Sequence, residues 1–346
     1  MTNVSHSTGR RPKIAFLFTS SRAAILSGVQ RGREADTALR GLNHLRGADM
    51  INLSETAHPF LLVPRLLRYD FVLASDALPL GFLVSLLTRL LHRKTRWVYM
   101  AITSSTLMRR HARHPLRLFV LKRFWASYFR IICLSKEQLE DFTRLGISRE
   151  RLVFIPFGID AEFFAATEQG SGEHFVLSVG RDAGRDYETL FRAAALSGHQ
   201  FVVVAAHRNI PPEMPVPTNV TVKYNLSTME IRKLYAQARM VVVASKAEHV
   251  PGGSDCSGQT VVLDALAAGK PVIATSRAWI TDYLTPSEDL LVVAPDEPAA
   301  LAAAIERIWK DPAEGARLAR AGQAKVRARY TTKAFAQALE KLFAAA

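Results

Sequence analysis

The stretch SGQTVVLDALAAGKPVIATS, Ser257 to Ser276, decides how this chain is read. Ser257 is a helix-capping residue type standing before an almost wholly apolar run, and Gly269 with Pro271 ends that run. A helix between them leaves backbone amides at Gly258, Gln259 and Thr260 without intrahelical partners, a positive dipole end that suits a phosphate. Lys270 falls by the negative end, and the β-branched pair Val272-Ile273 reads as a buried parallel strand. Asp264 is the lone carboxylate of the helix. It either meets a ligand or shares a solvent-facing stripe with Thr260 and Ala268, because residues four apart lie on one face.

Outward from this stretch, short apolar runs alternate with helix-period segments, the pattern of α/β units with parallel sheets. Strands are predicted at Lys13 to Phe18, Met50 to Leu53, Phe71 to Ala74, Trp97 to Ala101 and Ile131 to Leu134. A second series runs through Phe175 to Val179, Phe201 to Ala205, Val220 to Lys223, Met240 to Ala244, Pro271 to Ala274 and Leu290 to Val293. Between the two series VFIPFGID, Val153 to Asp160, places Pro156 and Gly158 as a hinge, followed by a polar stretch from Glu168 to Gly172. A length of 346 residues suits two domains. The predicted division is 1–157, 158–328 and a terminal helix over 329–346, whose Phe335, Ala338, Leu339, Leu342 and Phe343 make a narrow apolar stripe suited to packing on another element.

Composition narrows the function. The net charge is +14, and from Ala77 to Lys136 there is no Asp or Glu against twelve Lys or Arg. Such a surface draws nucleic acid, anionic lipid headgroups or a diphosphate-linked acceptor, unless its arginines are merely solvated. Within it, Met108 to Arg130 mixes seven Arg or Lys with Phe119, Phe124, Trp125, Tyr128 and Phe129, which fits a membrane interface or a helix partly buried in the first domain. No nucleic-acid-binding motif accompanies it. The apolar run from Leu78 to Leu91 is interrupted by Arg89 and is shorter than the roughly 20 residues of a membrane span. Arg10, Arg11 and Lys13 precede a short apolar run without the features of a secretory signal. Cys133 and Cys256 suggest neither a disulfide framework nor a zinc site. These features predict a cytoplasmic protein, soluble or peripheral on the membrane. The segment after the first strand, TSSRAAILSG, lacks the dinucleotide fingerprint, which weighs against a nicotinamide dehydrogenase.

Two further segments carry candidate chemistry. VGRDAGRDYETL, Val179 to Leu190, sets Arg181 and Arg185 in a strand-to-helix turn, where two guanidiniums can hold adjacent phosphate oxygens, or else pair with Asp182, Asp186 or Glu188. SKAEHVPGGSDCS, Ser245 to Ser257, is the most irregular stretch of the second half and offers Glu248 and Asp255 as carboxylates. His249, like His111 and His114, reads as a surface residue.

GQTVVLDALAAGKPVIAT, VGRDAGRDYETL and VFIPFGID together resemble the GT-B glycosyltransferases of the family 4, or group 1, type. The resemblance covers most of the C-terminal half, and the N-terminal half in architecture. It implies two Rossmann-like domains facing across a cleft, with the terminal helix crossing back to the first. It implies a retaining transfer from a nucleotide-diphosphate sugar to a hydroxyl of a glycan or lipid-linked acceptor, in polysaccharide or glycolipid synthesis and without a cofactor. No DxD pair occurs, so metal independence is expected. By position Arg181 and Arg185 contact the diphosphate, Gly258, Gln259 and Thr260 supply amides, and Asp264 holds the ribose. Arg185 stands where the family has Lys, and Asp264 where it usually has Glu. The family's first acidic residue falls on Glu248, near the transferred sugar, when an inserted loop is allowed; counting back from Asp264 gives Cys256, and Asp255 is a third candidate. A His common after the fourth strand is absent from YMAITSS. The alternatives are a sugar-nucleotide 2-epimerase of the same fold and a noncatalytic basic protein that binds membrane or nucleic acid. The nucleotide base, sugar, linkage and oligomeric state stay open.

Overall fold

The computed structural model describes residues 11–56, 58–75, 86–88, 90–91, 94–111, 113–165, 175–248, 250 and 253–345. Arg10, the stretch from Glu168 to Gly172, His249, Pro251, Gly252 and most of the run from Leu78 to Leu91 lie outside these residues. Among the described residues no helix is long and apolar enough to cross a membrane.

Two six-stranded parallel sheets organise the chain. The first holds β1 (Ile14–Phe18), β2 (Ala48–Asn52), β3 (Phe71–Ser75), β4 (Arg96–Met100), β5 (Arg130–Cys133) and β6 (Leu152–Phe154), in the order β2-β1-β3-β4-β5-β6. The second holds β7 (Phe175–Gly180), β8 (Gln200–Ala205), β9 (Val220–Tyr224), β10 (Met240–Val243), β11 (Val272–Thr275) and β12 (Leu291–Val293), in the order β12-β11-β10-β7-β8-β9. Helices cover both faces of each sheet, so central strands such as β1, β3, β7 and β10 are buried along their whole length. That is why they read as unbroken apolar runs. In the second sheet the strand order reverses between β7 and β10, and in open sheets of this kind a ligand crevice opens beyond the carboxyl ends of such strands.

Helix Gln259–Ala267 packs Val262, Leu263 and Leu266 against Leu177, Val241 and Val243 of the second sheet. Being enclosed, it needs no broad polar face. Gly269, at φ +69°, ends it by a tight cap in which the amides of Gly269 and Lys270 reach back to the carbonyls of Leu266 and Ala265.

The chain crosses between lobes twice, and the two crossings are paired. The Ile159 amide donates to the Tyr330 carbonyl and the Thr332 amide to the Ile159 carbonyl, both at 2.9 Å. Helix Thr332–Ala344 then buries Phe335, Ala336, Leu339 and Phe343 among Ile14, Phe16 and Phe71 of the first sheet. Gly158 makes the pairing possible, because a β-carbon there would lie 2.2 Å from the carbonyl oxygen of Thr331. Gly158→Ala is therefore expected to lower the unfolding free energy by about 1–3 kcal/mol, the usual cost of overpacking. Urea titration of the variant checks this; a wild-type midpoint would show that the crossing strands separate freely.

Candidate functional site

The turn leaving β7 is built by its own acidic residues. Asp182 accepts the Gly184 amide at 2.8 Å and the Ser254 amide at 3.0 Å, while Asp186 caps helix Tyr187–Ser197 by accepting the Thr189 amide. The Lys246 amide donates to the Gly184 carbonyl and the Asp186 amide to the Ala244 carbonyl, which ties the turn to the end of β10. Two of the carboxylates that could have neutralised the arginines, Asp182 and Asp186, are thus engaged with backbone.

Arg185 is only 3% exposed and folds back over Gly180, where a β-carbon would stand 2.5 Å from its Nε. Its Nη2 donates to Ser178 Oγ at 3.3 Å, and Nε and Nη1 have no hydrogen-bond partner. A guanidinium does not lose its proton in a protein, so this is a buried positive charge with two of its three nitrogens unpartnered. Arg181, on the same turn, is exposed; its carbonyl accepts Arg208 Nη2 at 2.6 Å.

The second positive element meets the first. Gly258 begins helix Gln259–Ala267 at φ +83°, and a β-carbon on it would lie 3.2 Å from Arg185 Nη1 and 2.8 Å from Val243 Cγ1. The arginine thus lies against the helix entrance. Two expectations change in detail. Ser257 does not cap this helix; Gly258 is the capping residue, and Ser257 Oγ is buried without a partner, because the left-handed backbone at 258 places the hydroxyl outside capping reach. The Gln259 amide is used within the turn, donating to the Cys256 carbonyl at 3.1 Å, so the amides of Gly258 and Thr260 remain as the outward donors.

Arg181, Arg185, Gly258, Gln259 and Thr260 line one cavity of about 400 Å³. Asn225, Leu226 and Ile231 form its far wall on the second lobe, and Ile102, Leu134 and Phe157 close it from the first. Ile102 stands in the loop after β4 where the resemblance would have placed a histidine. Cys256 also faces the cavity, and burial pushes its thiol up, as it does that of Cys133.

Asp264 lies further along the helix and is not among the lining residues. Its side chain is half-buried, yet Oδ1 is enclosed and unpartnered. Burial first, and the charge of Asp160 second, hold this carboxyl well above the usual range.

Glu248 is placed otherwise than expected. Its Oε1 accepts the Ala278 amide at 2.9 Å and its Oε2 lies 2.7 Å from Arg277 Nη2, and it does not line the cavity. The reason is Arg277, a buried cation that needs a counter-charge; it also donates to the carbonyls of Lys246, Ala247 and Asp255, stapling the loop after β10. Nothing in TSRAW marked Arg277 as different from a surface arginine. Asp255 is turned to the first lobe, accepting the Thr106 amide and Gln138 Nε2. Asn225 was also passed over, although an Asn that closes a strand tolerates the left-handed φ of +53° that it adopts.

The upward push on the Asp264 carboxyl yields a measurable sign. An unfolded Asp ionises near 3.9, whereas burial keeps the folded carboxyl protonated to higher pH, so this residue costs stability that grows as pH rises above about 4. Asp264→Asn should match the wild type in melting temperature near pH 4 and exceed it increasingly toward pH 7. Coincident melting curves over that range would put the carboxyl in water.

Comparison with known proteins agrees with the geometry. Residues 183–341 match the family model described as glycosyl transferase-like, and residues 20–158 match the glycosyl transferase 4-like domain. No curated protein matches the sequence. Among solved structures, Anabaena HepE in complex with UDP and glucose superposes with a TM-score of 0.73 at 18% identity, covering 97% of this chain and 100% of that one. Sucrose-phosphate synthase from Thermosynechococcus elongatus gives 0.71 at 22%, with 97% and 100% covered. Trehalose 6-phosphate synthase from Burkholderia multivorans gives 0.65 at 13%, with 97% of each chain covered. Two facing parallel-sheet lobes, a terminal helix returned to the first, and glycosyltransferase models matching each half in turn make this chain a GT-B glycosyltransferase of the group 1, family 4 type.

Proposed function

We propose that the enzyme moves a sugar from a nucleoside-diphosphate donor to a hydroxyl of a glycan or lipid-linked acceptor, with retention of anomeric configuration and without a divalent metal, in cell-surface polysaccharide or glycolipid synthesis. The carrying observation is Arg185, a buried guanidinium with two unpartnered nitrogens placed against the start of the Gly258 helix inside a shared cavity. A diphosphate supplies the charge that both elements lack. As the bond from the sugar's anomeric carbon to the diphosphate breaks, negative charge grows on the leaving oxygen. Arg185, Arg181 and the free amides of Gly258 and Thr260 stabilise it. The anomeric carbon bonds to the acceptor oxygen, and the acceptor proton passes to the departing diphosphate. A ribose contact by Asp264 rests on the family resemblance alone, since its carboxyl lies outside the lining of the cavity.

Uridine diphosphate is the first probe because HepE is seen with UDP; GDP and ADP complete the set. A nucleotide at 100 times its dissociation constant should stabilise the fold by about 2.7 kcal/mol in a thermal-shift assay. Arg185→Met should abolish that shift while the free variant stays as stable as the wild type or more so, because replacing an unpaired buried charge by an apolar side chain removes a desolvation cost. Arg181→Ala should cut turnover far more than it lowers stability. Silence from all three nucleotides would remove the donor site, and epimer formation from labelled donor alone would make the enzyme a 2-epimerase.

Helix Pro115–Trp125 buries Phe124 and Trp125, and its other side leaves Leu116, Phe119 and Val120 exposed at 76%, 59% and 52%. These positions share a face, and Arg113, Arg117 and Arg123 beside them are exposed. Aliphatic and aromatic side chains ringed by arginines complement an anionic bilayer, which supports peripheral attachment at the cytoplasmic face of the membrane. Phosphatidylglycerol vesicles should sediment the protein in low salt and phosphatidylcholine vesicles should not. Leu116→Ser with Phe119→Ser should release it without altering the nucleotide shift; equal binding to neutral vesicles, or none to either, would end the membrane reading.

A further inference from the structure

We infer that Asp255 is a positioning residue that latches the two lobes together, and that the loop carrying it couples lobe closure to the diphosphate cavity. Six consecutive residues, 253 to 258, run between the loop after β10 and the Gly258 helix, and their anchors alternate. Gly253 packs on Gly184, with a β-carbon position 3.1 Å from the Gly184 amide nitrogen, and the Ser254 amide donates to Asp182 at 3.0 Å. Both contacts fasten the loop to the turn that carries Arg181 and Arg185. The next residue faces the other lobe. The Asp255 amide donates to the Ile102 carbonyl at 2.9 Å, Oδ1 accepts the Thr106 amide at 3.0 Å, and Oδ2 accepts Gln138 Nε2 at 2.7 Å. Cys256 and Gly258 then return to line the cavity.

The chemistry of the pair explains why a carboxylate is needed. Thr106 contributes a first-turn amide of helix Ser104–His111, an N–H with no carbonyl of its own helix to meet and on the side of the dipole that favours negative charge. Gln138 cannot turn its oxygen toward Asp255, because Oε1 already accepts the Leu134 amide at 2.7 Å and Nε2 also donates to the Ala101 carbonyl at 3.1 Å. Both partners are therefore donors, and only an acceptor on each side satisfies them. Asparagine would oppose one of them with its own N–H₂. Asp255 is 8% exposed and Gln138 2%, so water cannot readily repair the mismatch.

Other contacts also cross the cleft. Tyr283 hydroxyl donates to the Leu134 carbonyl at 2.8 Å, and Thr228 Oγ1 donates to Glu34 at 2.5 Å. Tyr283 also accepts the Phe157 amide, and Leu134 and Phe157 both line the cavity; Asp255 differs in lying on a loop that is fastened on its other side to the arginine turn, through Gly253 and Ser254. Lobe separation would pull this loop away from either the first lobe or the arginine turn. A ligand that fixes residues 256–258 thus favours closure, and closure in turn presets those residues.

The inference rests on the lobe contacts and not on the identity of the donor, so it is tested first without nucleotide. A compact chain of 346 residues has a radius of gyration of about 20 Å. Small-angle scattering should show that radius for the wild type and an increase of about a tenth for Asp255→Asn. Gln138→Glu should open the lobes in the same way, by setting carboxylate against carboxylate. Combining Asp255→Asn with Gln138→Glu lets the new amide at position 255 donate to the new carboxylate at position 138, while the Ala101 carbonyl still lacks the donor that Gln138 Nε2 gave it, so recovery is partial. That double variant should return toward the wild-type radius, a non-additivity that a general loss of packing does not produce. UDP titration then separates roles: the latch predicts that Asp255→Asn keeps UDP affinity within about threefold while turnover falls by about tenfold or more, an uneven loss that marks an interaction outside the donor contacts. Unchanged radii in both single variants, or loss of UDP binding at an unchanged radius, overturns the latch. Should the single variants fail to fold, recovery of a compact double variant supports it and continued failure refutes it.

Discussion

A positive charge buried without a partner organises the site of this enzyme. Arg185 is enclosed by Gly180 on one side and Gly258 on the other, and neither position has room for a β-carbon. The nearby carboxylates of Asp182 and Asp186 are held by backbone amides, so they do not discharge it. Such an arrangement costs free energy in the empty protein, and in the proposed reading a dianion brought by the substrate offsets that cost. The glycines, the acidic turn and the exposed start of the Gly258 helix are all consequences of keeping that guanidinium in place and open toward the cavity.

The second organising constraint is the way one lobe is held to the other. Ile159 and the segment from Tyr330 to Thr332 exchange backbone hydrogen bonds, and the terminal helix buries its aromatic side chains under the first sheet. The loop after β10 adds side-chain contacts nearer the cleft, with Arg277 drawing its carbonyls inward and Asp255 reaching across. Glu248 belongs to this framework. Its carboxylate neutralises Arg277, a buried cation unlike Arg185 in having found a partner within the chain. The contrast is between an arginine paired within the chain and one left with unpartnered nitrogens beside the cavity.

Much of the fold was legible in the sequence for a simple reason. Strands buried on both faces must be apolar throughout, and each predicted strand lies within two residues of its observed bounds. The helix over Gln259–Ala267 and its glycine stop were equally plain, as were the arginine turn and the tail that returns to the first sheet. Periodicity failed on helix Pro115–Trp125, whose apolar residues point nearly all round. The structure resolves this by burying one side and leaving Leu116, Phe119 and Val120 in solvent, a division that no pattern of spacing could supply.

By itself the sequence determined which segments form strands and helices and which strand-to-helix turn carries the paired arginines, because these follow from local backbone chemistry and short-range patterning. Tertiary structure decided which polar groups are spent within the chain. Ser257 gave up capping to Gly258, Glu248 was claimed by Arg277 and Asp255 by Thr106 and Gln138, while Arg185 and Asp264 kept enclosed atoms without partners. The hydrogen bonds that claimed Glu248 and Asp255 span 30 to 149 residues of chain. Electrostatic and hydrogen-bond satisfaction depends on distance in space, which packing alone sets, and not on separation along the chain.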